Sequence, residues 1–317
     1  MCYNRGDTTS FFFMSYIISD AVSGVNSMDE IDLCYMDPPY NTGRDFYNFD
    51  DRFSSSQEYR DGLIRPVVES IHSKLSKKGV IVIHVEPRIS HHIRIVCDDV
   101  FGENRFVNEI VWKSGGNHNT EKKLQRSHDT IIVYSKNTSF TFNAEYKPYN
   151  EDDVNNSKKD ERGHYQTSSL KNNQPEVVPR PNLRYEWNGN HLQWYVSREK
   201  MQQLHDEDRL AYNAKGVPRI KRYFHELKGI QVKDVWDDIS QIQMGEKMSY
   251  ATQKPVKLLE RIIRMFSNTN DMVCDPFGGS GTTGRASLNT DRRYTLFDIN
   301  PKGKELFEQS IGGRLPV

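Results

Sequence analysis

A glycine-rich loop near the C-terminal end limits the fold of this chain more than any other feature. The loop, residues 279–284 (Gly-Ser-Gly-Thr-Thr-Gly) and hereafter the glycine loop, follows the apolar run 271–275 and precedes a helical pattern. Gly-x-Gly-x-x-Gly between a strand and a helix is typical of loops that approach a nucleotide-like ligand closely. The chain has 317 residues, so only 33 follow Gly284. The strands that complete the sheet must therefore come earlier in the chain.

The surroundings of the glycine loop exclude two common nucleotide-binding classes. Arg285 and Ala286 stand where a phosphate-loop ATPase carries Lys and Ser or Thr, so the lysine that reaches the β- and γ-phosphates is missing. A dehydrogenase is disfavoured because too little chain follows the loop. The last apolar run, 294–298, ends at Asp298, which is placed to take ribose hydroxyls. A plain strand-end cap is the alternative for this carboxylate.

A second motif, Asp37-Pro38-Pro39-Tyr40, follows the buried apolar run 31–36 near the N-terminus. Two prolines cannot donate backbone hydrogen bonds and each fixes its own φ, so the chain leaves the strand stiffly. The Asp37 carboxylate and the free carbonyls then point beyond the strand end, where ligands bind in open α/β sheets. We therefore expect this motif and the glycine loop at the same edge of one sheet.

Apolar periodicity predicts an α/β fold with a mostly parallel sheet. A helix over 59–75 is expected to kink at Pro66 and to end at Lys77-Lys78-Gly79. Residues 44–54, rich in aromatic and acidic side chains, are predicted to form a loop over a cleft. The other predicted helices span 90–99, 252–266 and 285–289, and the predicted strands span 31–36, 80–85, 110–112, 130–134, 271–275 and 294–298.

The middle of the chain loses the strand–helix alternation and predicts a smaller, inserted domain. We expect an N-terminal extension at 1–28, then segments 29–136, 137–240 and 241–317. Residues 113–234 carry 21 basic and 16 acidic side chains, whereas the rest of the chain carries 22 and 27. This excess of positive charge favours a polyanion partner over a merely solvated surface only slightly. The candidate phosphate contacts are Lys122, Lys123, Arg126, Lys221 and Arg222.

Bulk properties exclude several other classes. Basic and acidic residues balance at 43 each, so net charge indicates no partner. The four cysteines form no C-x-x-C pair, and the histidines show no H-E-x-x-H pattern, so we expect reduced thiols and no metal. No apolar run reaches the roughly 18–20 residues of a membrane span. Without an export signal, these features predict a cytoplasmic protein.

Five motifs, in this order, resemble the β-class of DNA adenine-N6 methyltransferases, which includes the modification subunits of type III restriction systems. The resemblance implies a Rossmann-like, circularly permuted class I methyltransferase fold with an inserted target-recognition domain. It also implies S-adenosylmethionine as methyl donor and DNA as substrate. Because the chain is shorter than a typical type III modification subunit, pairing with a restriction subunit is doubtful, and a homodimer is left open. The motifs are Asp37-Pro38-Pro39-Tyr40 with Asn41-Thr42-Gly43, 128–137 (HDTIIVYSKN), 235–239 (VWDDI), 252–255 (TQKP) and 275–284 (DPFGGSGTTG).

The resemblance also implies the roles of individual residues. Asp37 and the Pro38 carbonyl, freed by Pro39, would accept hydrogens from the adenine amine, and Tyr40 would stack on the flipped-out base. A core aromatic is the alternative for Tyr40. The cofactor residues implied are Asp275, Phe277, Gly279 and Ser280 around the methionine part, Thr282 in the same loop, Asp298 at the ribose, and Lys254 with Asp37 at the pocket border. A solvated helix-start lysine is the alternative for Lys254.

Three other functions remain open at this point. Methylation of the cytosine N4 amine uses the same chemistry, although Asp instead of Ser at the head of the motif favours adenine. RNA could replace DNA as substrate. A non-catalytic DNA-binding protein on the same fold would have lost Asp37 or the glycine loop, and neither is lost.

Overall fold

The computed structural model describes residues 14–46, 49–115, 124–242 and 253–312. The chain divides into two compact units. The first unit comprises Met1–Glu145 and Lys233–Val317, and the second comprises Tyr146–Val232. No helix in the described ranges is long and apolar enough to cross a membrane.

A large sheet forms the centre of the first unit. We number its eight strands along the chain: β1 (Met14–Ile18), β2 (Ile31–Met36), β3 (Leu75–Val85), β4 (Phe106–Trp112), β5 (Asp129–Ser135), β6 (Val235–Trp236), β7 (Met272–Asp275) and β8 (Arg293–Asp298). Their spatial order is β1-β8-β7-β2-β3-β5-β4-β6. Among these strands only β5 runs antiparallel to its neighbours. The predicted mostly parallel α/β sheet is confirmed.

In the part of the chain that the structure describes, the helices that cover the two faces of this sheet are α1 (Ala21–Asn26), α2 (Arg65–Lys74), α3 (Ser90–Phe101), α4 (Val256–Phe266), α5 (Thr282–Asn289) and α6 (Pro301–Ile311). Helices α1, α2 and α3 pack side by side, and so do α4, α5 and α6. Neighbouring residues of a strand point to opposite faces. Accordingly Phe297 packs beside Gly24 of α1, whereas Leu296 lies beside Gly284 of α5.

Shorter elements complete the first unit. An antiparallel hairpin, Arg44–Phe46 with Phe49–Asp51, occupies part of the segment predicted as a loop. A short helix (Ser56–Glu58) and a π-helical segment (Tyr59–Ile64) precede α2, and a 3₁₀ turn (Glu103–Arg105) precedes β4. Pro66 lies in the first turn of α2, directly after the π-helical segment, whose last residue Ile64 already has helical φ and ψ angles. Lys77 and Lys78 do not end the helix as predicted, because Leu75 already pairs with Ile31 at the start of β3.

The predicted N-terminal extension 1–28 is, from Met14 onward, part of the first unit. Strand β1 pairs in parallel with β8 from Met14–Tyr294 to Ile18–Asp298. Asp20 then caps α1 by accepting a hydrogen bond from the Ser23 N–H at 2.9 Å. Residues 1–13 lie outside the described residues. This edge strand was not predicted because the short segment shows neither the two-residue periodicity of a strand nor the 3.6-residue periodicity of a helix clearly.

The second unit is built mainly of short antiparallel strands. A four-stranded sheet has the order Leu210–Tyr212, Pro218–Tyr223, Gly163–Ser169 and Lys158–Asp160. Two strand pairs join Arg184–Trp187 to Asn190–Gln193 and Tyr146–Lys147 to Ile230–Gln231. Its helices are Glu151–Asn155 and Arg198–Asp206, with 3₁₀ turns at Pro181–Leu183 and Phe224–Glu226. A small core surrounds Trp194, Met201 and Leu204.

This second unit is shorter at both ends than the inserted domain predicted at 137–240. The Asn143 N–H donates to the Met265 carbonyl at 2.7 Å, and Glu145 pairs with Arg264. At the other end, β6 pairs in parallel with β4. Both flanks therefore belong to the first unit, because their hydrogen bonds and ion pairs are made there.

Candidate active site

The central strands β2 and β7 bring the two sequence motifs to one edge of the sheet. They are parallel neighbours, with Cys34 opposite Cys274. Asp37 directly follows β2, and Asp275 is the last residue of β7. From β7 the chain continues to β8 on one side, and from β2 it continues to β3 on the other side. The two carboxylates therefore lie at the topological switch point, where ligands bind in open α/β sheets.

Asp37, Tyr40 and Lys254 form a compact group at the end of β2. The Tyr40 hydroxyl donates to Asp37 Oδ1, and the Lys254 ammonium donates to Asp37 Oδ2. Lys254 Nζ also lies 3.1 Å from the Tyr40 hydroxyl. The side chains of Lys254 and Asp37 are only 13% and 17% exposed, so the ion pair is shielded from water. Burial and the nearby Asp37 charge raise the pKa of Tyr40, which keeps its hydroxyl protonated.

The backbone after Asp37, residues 37–43 and hereafter the catalytic loop, is held from two sides. The buried Asp51 carboxylate accepts the N–H groups of Asn41 and Thr42 at 2.6 and 2.9 Å. Arg88 donates to the carbonyls of Tyr40 and Asn41, both at 2.8 Å. Within the described ranges no group donates a hydrogen bond to the Pro38 carbonyl. That oxygen therefore keeps its acceptor capacity.

The glycine loop is held by main-chain and buried contacts. Gly279 and Gly281 adopt left-handed φ values of 51° and 75°, which glycine tolerates. The Gly279 N–H donates to Asp298 at 2.8 Å, and the Gly279 carbonyl accepts from the Tyr16 hydroxyl at 2.7 Å. Gly303 of α6 lies so close that an added Cβ would sit 2.0 Å from the Gly279 carbonyl oxygen.

Asp275 is a buried carboxylate without a salt-bridge partner among the described residues. It accepts hydrogen bonds from the Thr283 hydroxyl at 2.5 Å and the Phe277 N–H at 3.0 Å. Burial raises its pKa to about 7, and the charges of Asp37 and Asp298 add to the shift. Burial also raises the pKa of Asp298. The site therefore gathers three carboxylates whose negative charges disfavour one another.

A buried, neutral histidine lies near Lys254 and Asp37. His84 on β3 is fully buried, with Nδ1 3.0 Å from the Tyr35 hydroxyl and Nε2 3.3 Å from Asp129. Burial, and then the charge of Lys254, lower the pKa of His84. A neutral ring that accepts from Tyr35 and donates to Asp129 satisfies both contacts.

The structure brings most of the predicted site residues to the same sheet edge. Asp37, Tyr40 and Lys254 contact one another, although the Tyr40 hydroxyl was not expected to bind Asp37. Ser280 and Thr282 are buried, with their hydroxyl oxygens 3.0 Å apart. Phe277 packs against the core beneath α1, α2 and α3. Asp298 accepts hydrogen bonds from the Gly279 N–H and the Asn300 N–H, both at 2.8 Å.

The predicted DNA contacts are in more varied surroundings. Lys122 and Lys123 lie outside the described residues. Arg126 is half-exposed and pairs with Glu86, and Arg222 is exposed. Lys221 requires a correction: it is buried, and its ammonium lies 3.0 Å from both Asp160 and Asp208. Its charge is therefore neutralised inside the second unit, and we no longer count it as a phosphate contact.

Sequence reasoning missed Asp51, Arg88 and Tyr16. Arg88 follows the end of β3, so the rule that functional groups gather at strand ends could have indicated it. Asp51 lies 14 residues after Asp37 in an acidic stretch, where no pattern separates it from its neighbours. Tyr16 belongs to the strand that was left unassigned.

Residues 31–309 match the family described as DNA methylase (N6_N4_Mtase), and the chain belongs to this family. It is 26% identical over 330 residues to the type II methyltransferase M.EcaI of Enterobacter cloacae, covering 96% of this chain and 70% of that protein. It is 25% identical over 321 residues to the StyLTI Mod subunit, a type III enzyme of Salmonella typhimurium. That match covers 83% of this chain and 47% of the subunit. The resemblance to modification enzymes of restriction systems is confirmed.

Solved structures share the fold. The M1.HpyAVI–SAM complex has a TM-score of 0.54 and 16% identity, covering 94% of this chain and 99% of that chain. The cytosine-N4-specific PvuII DNA methyltransferase has a TM-score of 0.50 and 17% identity, covering 95% and 93%. The predicted class I methyltransferase fold is confirmed by these likenesses together with the sheet described above.

S-adenosylmethionine, the methyl donor of this family, suits the chemistry of the site. The donor carries a sulfonium and an ammonium group as well as ribose hydroxyls. Asp275 has a raised pKa because its charge is buried beside two other carboxylates. A cation bound at this edge would relieve that repulsion, and Asp298 could accept hydroxyl hydrogens through its remaining lone pairs. The residues present therefore fit the donor.

Proposed function

We propose that this protein is a site-specific DNA methyltransferase that modifies the N6 amine of adenine, with S-adenosylmethionine as methyl donor. The observation that carries the proposal is the pairing of two motifs at neighbouring strand ends. Asp37 and its catalytic loop follow β2, and Asp275 with the glycine loop follows β7. An acceptor group and a cofactor loop at one switch point suit the transfer of a group from a bound donor to a bound base.

The adenine amine needs activation because its lone pair is delocalised into the ring. Asp37 and the Pro38 carbonyl would each accept one amine hydrogen, which favours a pyramidal nitrogen with an available lone pair. Asp37 keeps this capacity beside Tyr40 and Lys254, because each carboxylate oxygen has two lone pairs. The acceptors are fixed before the reaction, so positioning and electrostatics supply the rate enhancement.

The donor, when bound, supplies an electrophilic methyl group on a positively charged sulfur. The nitrogen lone pair forms the new bond to carbon, and the electrons of the broken carbon–sulfur bond remain on sulfur. The methylated nitrogen then holds an excess proton, which Asp37 is placed to accept and pass to water. Lys254 holds the same carboxylate from its other oxygen, so Asp37 stays oriented while the proton moves.

The base must leave the duplex before it can reach Asp37. Tyr40 offers the aromatic ring on which a flipped base would stack, a contact worth about 1–3 kcal/mol in related systems. Its hydroxyl bonds to Asp37, which orients the ring at the strand end. Arg126 and Arg222 remain proposed phosphate contacts, together with Lys122 and Lys123.

Cytosine N4 is the competing target, since its exocyclic amine requires the same acceptors. The cytosine-N4-specific PvuII enzyme shares the fold. The aspartate at the head of the motif, where serine is the alternative, favours adenine. DNA incubated with the protein and S-adenosylmethionine is digested to nucleosides and analysed by mass spectrometry.

N6-methyladenine is the expected product of that experiment. N4-methylcytosine would overturn the choice of base, and methylated RNA but unmethylated DNA in a competition assay would overturn the substrate. Absence of any methylated nucleoside, with cofactor binding retained, would favour a non-catalytic DNA-binding protein. Sequencing the modified positions then gives the recognition site.

A further inference from the structure

We propose that Arg88 is a positioning residue that fixes the catalytic loop for methyl transfer, and that Glu86 orients it. The inference rests on the proposed function, which the experiment below tests separately. Arg88 is outside every motif that carries the family resemblance, and it follows β3, the strand next to β2. A third strand end therefore contributes to the site.

One nitrogen of the Arg88 guanidinium contacts two successive carbonyls of the catalytic loop. Its terminal nitrogen donates to Tyr40 and Asn41, both at 2.8 Å. Asn41 has a left-handed φ of 51°, a conformation that non-glycine residues adopt rarely. At this turn, the carbonyl oxygens of Tyr40 and Asn41 both point to the same nitrogen of Arg88. The two hydrogen bonds thus stabilise a left-handed turn, which asparagine adopts more readily than most other non-glycine residues.

Glu86 fixes the direction of the Arg88 side chain. Arg88 Nε donates to Glu86 Oε1 at 2.6 Å, while Arg126 donates to Oε2. Glu86 is only 9% exposed, so both of its oxygens are engaged in a largely dry setting. A carboxylate held by two arginines has little rotational freedom. The guanidinium plane of Arg88 is fixed as a result.

Arg88 and Asp51 act on complementary groups of the same backbone. Asp51 accepts the N–H groups of Asn41 and Thr42, whereas Arg88 donates to the carbonyls of Tyr40 and Asn41. Loss of Arg88 leaves the catalytic loop held from the N–H side alone, so its carbonyls can turn toward water and its N–H groups open more often from Asp51. The reacting groups, Asp37 and the Pro38 carbonyl, lie two to four residues away on the same loop. A shift of about 1 Å in such groups can lower a rate about 100-fold.

Arg88 contributes more to geometry than to stability. Its side chain is 54% exposed. Exposed arginine contacts contribute little to folding, typically below about 1 kcal/mol. We therefore expect Arg88 variants to fold and to bind cofactor, but to react slowly.

The experiment compares the R88A, R88K and R65A variants of the full chain. Arg65 is the matched control, because it forms a comparable ion pair with Asp99 at 2.7 Å on the surface of α2. The measurements are the single-turnover methylation rate, the KM for DNA, the Kd for S-adenosylmethionine, and hydrogen exchange of peptides covering 37–43 and 279–284. R88A should lower the rate about 10–100-fold with less than a threefold change in Kd and KM.

R88K should recover part of the rate, since an ammonium can reach a carbonyl but lacks the planar fork that also engages Glu86. Peptides over 37–43 should exchange faster in R88A, and those over 279–284 should not change. R65A should match the wild type. Unchanged exchange over 37–43 in R88A, or an unchanged rate in that variant, would overturn the positioning role. If the wild type itself fails to methylate DNA while exchange responds as expected, the proposed function fails, whereas the restraint of the catalytic loop by Arg88 stands.

Discussion

The catalytic loop and the glycine loop leave neighbouring strands at one edge of the sheet, and different contacts hold each of them. Charged side chains hold the catalytic loop: Arg88 from the carbonyl side and Asp51 from the N–H side. Packing is prominent around the glycine loop, where Phe307 fills the space beside Gly281 and Gly284, and Gly279 also bonds to the Asp298 carboxylate and the Tyr16 hydroxyl. The first set includes the half-exposed Arg88, whereas Phe307 of the second set is buried.

This difference suits the two tasks proposed for the loops. A donor that binds in every catalytic cycle benefits from a rigid, preformed pocket, because little ordering entropy is lost on binding. A base that enters from a duplex needs a loop that can adjust and then return to its reactive geometry. Polar contacts at the surface open more easily than a packed core. We therefore expect changes in the catalytic loop to affect the rate, and changes around the glycine loop to affect cofactor binding and stability.

Asp37→Ala provides the largest test of the contrast. It removes the proposed acceptor for the amine, and we expect methyl transfer to fall at least about 100-fold, to background in a filter assay. Cofactor affinity should fall less than about threefold, measured by isothermal titration calorimetry. The reason is that the glycine loop contacts remain intact.

Asp37→Asn is the matched control for shape, because it keeps one acceptor oxygen but loses the ion pair with Lys254. It should retain more activity than Asp37→Ala. Full activity in Asp37→Ala would show that the carboxylate has no part in the reaction. Loss of cofactor binding in both variants would instead indicate that the catalytic loop and the glycine loop bind the cofactor together.

Gly303→Ala tests the packing of α6 against the glycine loop. The new methyl group would meet the Gly279 carbonyl oxygen at 2.0 Å and the Tyr16 hydroxyl at 2.4 Å, so α6 and the loop must separate. Overpacking of this kind costs about 1–3 kcal/mol of unfolding free energy. We expect cofactor affinity to fall about tenfold or more.

Gly62→Ala is the control for this substitution, since the nearest atom to its added Cβ, Glu58 Cγ, is 3.8 Å away. Its cofactor affinity and thermal midpoint should stay close to the wild type. A Gly303→Ala variant that binds cofactor normally would indicate that the glycine loop is as adjustable as the catalytic loop.

Much of the fold follows from local patterns in the sequence. The runs at 31–36 and 80–85 are apolar except for Asp32 and His84, as is typical of strands covered on both faces, and they form β2 and the buried part of β3. The face of α4 was predicted because Leu258, Leu259 and Ile262 recur at helical spacing. Strand β1 has no such pattern, since it is a short edge strand with one partner.

The site was predictable where a motif fixes the backbone and unpredictable where a distant side chain reaches in. Asp37 and Asp275 each end an apolar run, so their position followed from the strands. Arg88 reaches the Tyr40 carbonyl because β3 lies next to β2 in the sheet. The spacing of residues along the chain does not reveal this neighbourhood. Lys221 was wrongly predicted as a phosphate contact for the same reason. Its partners Asp160 and Asp208 are distant in sequence, and they neutralise its charge in the folded chain.

Asp275→Asn tests the buried charge of the cofactor side, with the smallest expected effect. Asn can replace both hydrogen bonds, since its oxygen can accept from the Phe277 N–H and its amide can donate to the Thr283 hydroxyl. The wild-type pKa is about 7 in the folded protein, against 3.8 as the ordinary value. A raised carboxyl pKa means that the folded state holds the proton more tightly than the unfolded state. The stability that this proton contributes is complete below pH 3.8 and is lost as pH rises through 7.

The thermal midpoint of Asp275→Asn should therefore exceed that of the wild type by several degrees at pH 8 and by little at pH 4.5. The upper limit is about 4 kcal/mol of unfolding free energy, at 1.36 kcal/mol per pKa unit. Saturating S-adenosylmethionine should narrow or reverse the difference at pH 8, because a bound cation favours the ionised Asp275 over a neutral amide. The same midpoint difference at both pH values, with and without cofactor, would mean that Asp275 carries no buried charge. The glycine loop would then be held by packing and by the hydrogen bonds of Gly279, without a contribution from the Asp275 charge.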